Sequence, residues 1–544
     1  MRKLLTFFAA MLITGSLLAG GLVTNTNQSA MFTRLQNRNA STGIDAVYFN
    51  PAGLTKLGDG FYLSLSNQTI GQTKTIGNNY NYLAGTSGGT TSREFIGDVS
   101  APLFPSVYVA YNTGKLSFSA GFNPIGGGGG AKYDKGLPSF EMGIASIVPM
   151  LDNPPNNIET SLYSADIFFE GSSVYFGYQA NVGYKINDML SIAAGVRLVS
   201  AANTYNGYLR NISVNPNYPN FGAAYTGGMV LANDFFTSGA ATLNGLAAGA
   251  TSYVAGLQPL IDGGAGTVLL SNGTAVGLTA VQVGQIQQII GAAGQDPTSM
   301  DIATAQIVLG ASAPVFTAKA GSMSAYAGAT QDIEVDAEES GMGYTPILSV
   351  NFSPSDKLNI AVKYEFQTKL ELTTKVIDNK GGGIFTEGKK VVADMPAMLA
   401  IGVNYKPMDK LSLAASFNTY FDKNVDYDGS ESINTPMIDN NFLEYGLGAE
   451  YSITEKLRAS AGWVATATGV NQAYQNDQRY STNTNSFGAG FGYRISSMID
   501  LNIGGQYTFY QEDKKDYPIV AGTYLVPFTE TYNKKVDMGC CRRS

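Results

Sequence analysis

Histidine is missing from all 544 residues. Its absence excludes imidazole bases and His-ligated metal centres, so no catalytic, metal or cofactor site is expected. Cysteine occurs only as Cys540 and Cys541, adjacent at the C-terminal end, which excludes a disulfide framework or a Cys-rich metal site. Charge is scarce: 14% of residues are charged, against about a quarter in an ordinary soluble protein. The formal net charge of −8 argues against nucleic acid or an anionic surface as a partner. Beyond the first residues there is no run of about 18 apolar side chains, so any membrane crossing must be made by strands.

What the chain does have is glycine and aromatics, with Gly 64, Tyr 32 and Phe 27. Its start reads as a secretory signal over residues 1–19. Arg2 and Lys3 supply the positive charge, Leu4 to Leu18 is mostly apolar, and small residues follow at Ala19, Gly20 and Gly21.

The strongest signal is a repeated hairpin. Six times an alternating segment ends in an aromatic, crosses a short polar turn and restarts with Leu. The pairs are Tyr111/Leu116, Tyr184/Leu190, Phe352/Leu358, Tyr405/Leu411, Tyr451/Leu457 and Tyr493/Leu501. Each half alternates with period two, so one face is apolar throughout. From Leu358 to Leu372 one face holds Leu358, Ile360, Val362, Tyr364, Phe366, Leu370 and Leu372. The other holds Asn359, Lys363, Glu365, Gln367, Lys369 and Glu371.

A soluble sandwich alternates too. Short turns at one end, long connections at the other and an aromatic before every short turn favour an outer-membrane barrel instead. Phe61 to Gln72 opens the sheet and a piece near Thr531 to Met538 closes it, which gives an all-β, 14-stranded antiparallel transmembrane barrel over 59–544. Closure is required, since an open edge would leave backbone groups unpaired in hydrocarbon. The ending Cys541-Arg542-Arg543-Ser544 lacks the terminal aromatic read by the barrel-insertion machinery. A truncated or frame-shifted end is expected there, with the two cysteines its by-product.

Residues 20–58 precede the first strand without alternating, and Ile44, Val47, Phe49 and Leu54 favour a plug inside the barrel over a dangling tail. Asp45-Ala46 with Asn50-Pro51-Ala52-Gly53 resembles the hatch motif of the long-chain fatty-acid and aromatic-hydrocarbon outer-membrane transporters. Phe122-Asn123-Pro124-Ile125-Gly126 is similar to that family's Pro-Phe-Gly element, with Ile125 for Phe. Met395-Pro396-Ala397 resembles its Leu-Pro-Ala segment, and Asp188 to Gly195 the start of its fifth strand. The resemblance covers nearly the whole mature chain, apart from much of the large loop and the last few residues, and also implies fourteen strands.

The connection over 201–341 is too long for a passive loop. Thr279 with Gln282 suggests a capping box opening a helix that bears Val283, Ile286, Ile289 and Ile290. Thr298 with Asp301 suggests another bearing Ile302, Ala305, Val308 and Leu309. These helices either form a groove for a greasy ligand or only stiffen a long, partly helical extracellular loop.

The resemblance implies that ligand is caught at the outer loops, enters a pocket in the barrel and leaves sideways near a kinked third strand as the hatch shifts. Gly121-Phe122-Asn123-Pro124 is expected to end that strand, because proline cannot donate to the ladder. The run Gly126 to Gly130 reads either as a pliable wall or as a plain loop. A buried carboxylate needs a cation. Arg197 is the first candidate and Lys363 the second, with Lys369 also facing inward; all three equally suit balancing inward carboxylates. Leu22 lies where the family places an apolar stopper in the pocket.

The expected role is transport of hydrophobic small molecules by a monomer set in outer-membrane lipid. A general porin or an adhesin-type barrel is the alternative. A barrel hydrolase is remote, since a serine nucleophile would lack its usual base.

Overall fold

The computed structural model describes residues 29–86, 92–380, 383–425, 437–517 and 526–536. The expected signal segment, Leu22 and the Cys540–Ser544 end lie outside them. The molecule is a closed antiparallel barrel of fourteen crossing strands. They are β1 (Gly60–Asn78), β2 (Arg93–Thr113), β3 (Leu116–Tyr133), β4 (Tyr163–Lys185), β5 (Leu190–Val214), β6 (Ile333–Ser355) and β7, split into Leu358–Glu365 and Glu371–Lys380. Then come β8, split into Lys390–Val392 and Met398–Met408, β9 (Leu411–Tyr420), β10 (Phe442–Ser452), β11 (Leu457–Ala467), β12 (Thr484–Arg494), β13, split into Asp500–Tyr510 and Asp513–Tyr517, and β14 (Phe528–Val536). Pairing of β14 with β1, from Gln72↔Val536 to Asn78↔Glu530, closes the ring.

All six short turns fall where the aromatic–turn–Leu repeat puts them, at one end of the barrel. The aromatic before each turn is outward and exposed, forming a girdle. Phe61, Leu63 and Leu65 on β1 are 66%, 56% and 71% exposed, and Tyr445, Leu447, Phe487 and Phe491 continue the apolar outer belt. Such a surface is unfavourable in water and suited to hydrocarbon.

Towards the long-loop end the alternation inverts, with apolar residues turned inward. On β1 the outward Phe61 to Leu65 give way to inward Ile76, and β4 turns Tyr163, Ile167 and Phe169 inside. The inversion corrects one expectation. β7 is not one straight strand to Leu372, because it breaks at residues 366–370 and changes parity there. Leu370 and Leu372 are therefore buried inside, whereas Lys369 and Glu371 face outward, Lys369 pairing with Asp394 at 2.7 Å and Glu371 with Lys390 at 2.7 Å.

The large connection is also shorter than 201–341. Strands β5 and β6 stay paired as far as Leu209↔Ile333, and of the connection over 215–332 only Val230–Leu231 joins the sheet, against Ser213–Val214. The connection folds into helices at Ala232–Asp262, Ala280–Ala292 and Ile302–Ala329 around one apolar core. Thr279 and Gln282 form the anticipated capping box. The last helix is capped by Asp301, whose carboxylate accepts from the Thr304 amide at 2.8 Å; Thr298 turns to Asp296 instead.

Candidate functional site

The segment from Ser29 to Gly58 fills the barrel interior at the short-turn half. A short helix, α1 (Ala30–Arg34), begins at Ser29, whose hydroxyl accepts from the Phe32 amide at 3.2 Å. Arg34 is fully buried against the wall: it donates to Asn502 Oδ1 and Ser460 Oγ, each at 2.8 Å, and pairs with Glu450. From there the chain lies flat on a stripe of inward glycines. Gly402, Gly448, Gly462, Gly488 and Gly504 each face hatch backbone or Cβ atoms of Thr33 to Ala40. A side chain at Gly402 would overlap the backbone of Asn39 and Ala40. Gly402→Val is therefore expected to expel this stretch, read as new trypsin cleavage at Arg34 or Arg38 in the folded barrel.

The hatch holds itself together by a buried fork. Arg38 donates to Asp45 through Nε at 2.7 Å and Nη2 at 2.9 Å, and Ser41 Oγ donates to Asp45 Oδ1 at 2.6 Å. Burial alone would raise the Asp45 carboxyl, but the Arg38 charge and these hydrogen bonds outweigh it and hold it below the usual carboxylate range. The same pairing outweighs burial at Arg38 and raises it. Asp45 precedes a helical turn, α2 (Ala46–Phe49), and then the Asn50–Gly53 motif, all buried. Asn50 ties the motif to the wall: its amide donates to Ser41 O at 2.9 Å and Asn351 Oδ1 at 2.7 Å, and its oxygen accepts from Ser349 Oγ at 3.1 Å. Pro51 starts a 3-10 turn, and the Ala52 carbonyl accepts from Ser191 Oγ at 3.0 Å. Gly53 lies so close to Ser41 and Asn50 that a Cβ would clash.

Above the hatch sit both leading cation candidates. Arg197 of β5 and Lys363 of β7 are buried together around Glu365. Arg197 grips Glu365 in a two-pronged pair at 2.6 and 2.8 Å and also donates to Gln179 Oε1 at 2.7 and 3.0 Å. Lys363 donates to Glu365 Oε1 at 2.7 Å and to the Tyr48 carbonyl at 2.9 Å. The hatch residue Tyr48 lies between the two cations, its ring 5.0 Å from the guanidinium and 4.6 Å from the ammonium. Two cations share one carboxylate, so the trio carries a net positive charge. A small cavity of about 20 Å³, room for roughly one water, is lined by Tyr48, Ile125, Arg197, Glu365, Met395 and Tyr420 among others.

Gly121 to Pro124 do not end β3. The strand runs on to Tyr133 with Gly126 to Gly130 inside it, still paired with β4 through bulges at Pro124/Gly126 and Gly126/Gly129. What breaks is the other side. The β2–β3 ladder stops at Val107↔Phe122 and resumes only at Val99↔Ala131, so Ser100–Ser106 and Asn123–Gly130 have no pairing with each other. Pro102, Pro105 and Pro124 each lack the amide a ladder needs. The kink sends Asn123 and Ile125 inward, where Ile125 packs in one apolar cluster with Val47, Tyr48 and Phe49 of the hatch.

The structure thus brings Arg197, Lys363, the Asn50–Gly53 motif and the kinked β3 into one region, while Lys369 lies on the opposite face of its strand. Sequence reasoning missed the Arg38–Asp45 fork, because seven residues of irregular chain carry no periodic signal. It also missed Tyr48, and the glycine stripe, whose signal was present in the inward positions of β8 and of β10 to β13.

These features define a closed fourteen-strand barrel with an internal hatch and a wall left unpaired between β2 and β3. The fold is that of a Pseudomonas aeruginosa FadL homologue of known structure, at 12% identity and a TM-score of 0.50, covering 95% of this chain and 99% of that one. Also similar are a mutant of the TodX monoaromatic hydrocarbon channel (13% identity, TM-score 0.47, 95% and 98% covered) and the Ralstonia pickettii toluene transporter TbuX (15%, 0.42, 91% and 92%). No protein-family model matches the chain, and no curated protein matches it in sequence.

Proposed function

We propose that this protein is an outer-membrane channel for hydrophobic small molecules, long-chain fatty acids or similar, which leave sideways through the wall between β2 and β3. The carrying observation is that unpaired wall, bordered by Ile125, which packs on the hatch and lines the same cavity as Arg197. The apolar outer belt supports a membrane setting, and the fold shared with the FadL homologue supports transport. In this reading the loops catch the cargo, the hatch shifts to enlarge the pocket, and the Arg197–Lys363 pair attracts a carboxylate when one is present.

Two measurements test this reading. In planar bilayers the plugged barrel passes little current, whereas an open porin would conduct freely. Mass spectrometry of the detergent-extracted protein is expected to find apolar molecules retained. Arg197→Ala should weaken retention of carboxylates, and unchanged retention removes that role. That variant also breaks a buried pair, so Glu365→Gln, which breaks the same pair from the other side, supplies the opposite arm of the test. It leaves both cations without their internal counter-ion, and carboxylate retention is expected to rise.

A further inference from the structure

At the closing seam, Lys74 of β1 stands directly opposite Lys534 of β14. Both face the interior, since their neighbours on the same face, Ile76 and Tyr532, are fully buried. Like charges placed directly across a ladder destabilise it, and an anion held between them would offset the repulsion. Among the described residues none is supplied. Neither lysine forms an ion pair with a described carboxylate. Among the described residues Lys534 donates only to the Tyr480 carbonyl, at 3.2 Å, and its ammonium lies 4.7 Å from the Tyr480 ring and 5.9 Å from that of Tyr510.

The surroundings are greasy and aromatic. Phe95 lies across from Ile76, and Gly97, opposite Lys74, leaves its space to the Tyr133 ring. Both lysines keep part of their surface open. Their place relative to the broken wall is specific. Gln72 pairs with Val99, in the row where the β2–β3 ladder resumes, and Lys74 is the next inward position towards the long-loop end.

We propose that Lys74 and Lys534 form an anion subsite at the outer lip of the wall gap, distinct from the Arg197–Lys363 pocket. It takes the carboxylate head of an amphipathic cargo while the tail lies against Tyr133, Tyr480 and Tyr510. The two ammoniums hold the carboxylate oxygens from opposite strands, which removes their mutual repulsion and loads the head group beside the opening. This inference rests on the transport reading for its cargo.

The test is binding of labelled decanoate, decanol and acetate to the full chain in detergent. Lys74→Gln/Lys534→Gln is expected to lower decanoate affinity by about tenfold, the loss of a charge-assisted bond, and to leave decanol unchanged. Lys74→Arg/Lys534→Arg should restore decanoate binding. The single Lys74→Gln variant without ligand should melt at a higher temperature than the unaltered protein, because a repulsion is gone. Decanoate binding no better than decanol, equal loss of both ligands in the Gln variant, or acetate competing as well as decanoate overturns the subsite. Failure of decanol to bind the unaltered protein counts instead against the transport reading.

Discussion

Asp45→Asn is expected to unplug the barrel without unfolding it, raising bilayer conductance severalfold while the strands remain heat-resistant. Asp45 is buried and receives both prongs of Arg38 and the Ser41 hydroxyl. Removing the carboxylate leaves a guanidinium buried without its counter-ion, at a cost of about 3–5 kcal/mol. The hatch is held to the wall by side-chain hydrogen bonds, the Arg34–Glu450 pair and an apolar cluster rather than by a ladder, so a cost of this size is expected to loosen it without touching the strands.

The pH dependence follows from the same pair. Asp45 has a folded value below its unfolded one, so its contribution is fully present above the ordinary aspartate value of about 3.9 and is lost as pH falls through the folded value. Arg38 is raised and stays charged throughout. Conductance of the unaltered protein is therefore expected to stay low from neutral pH to about pH 4 and to rise only in stronger acid. In Asp45→Asn that acid step should vanish, the channel being open at every pH.

The barrel was legible because hydrocarbon imposes a rule on every second residue. Tyr184, Phe352, Tyr405 and their counterparts mark the interface, and each turn follows within a few positions. The same rule misled at Lys369. Outside the belt the physics reverses: solvent lies on the outer face and packed loops on the inner one. A single extra residue between Phe366 and Thr368 then leaves the alternation in the sequence intact while turning it inside out. The loop bounds failed for a related reason, because β5 and β6 continue past the belt with mixed side chains that carry no clean period. Arg197 and Lys363 could be placed by parity alone. Their sharing of Glu365 beside Tyr48 could not, since that depends on where the hatch lies.

Closing the wall should abolish passage while leaving the barrel folded. Two things hold the gap open. Pro102, Pro105 and Pro124 withhold up to three amide donors, and Ile125 anchors the kink in the hatch cluster. Replacing the three prolines with threonine recovers bonds worth about 0.5–1.5 kcal/mol each, and more where the edge meets lipid. Burial of Ile125 opposes this with about 1.5–3 kcal/mol. The two terms are comparable, so the prolines alone are expected to narrow the gap only in part. Adding Ile125→Ala tips the balance towards a ladder that runs from Val107↔Phe122 to Val99↔Ala131 with one bulged residue on β3. In liposomes, uptake of a labelled apolar cargo by the fourfold variant should drop to background, with the heat-induced gel shift of the barrel preserved. Uptake at the original rate through a ladder shown to be continuous by amide exchange would place the exit elsewhere in the wall.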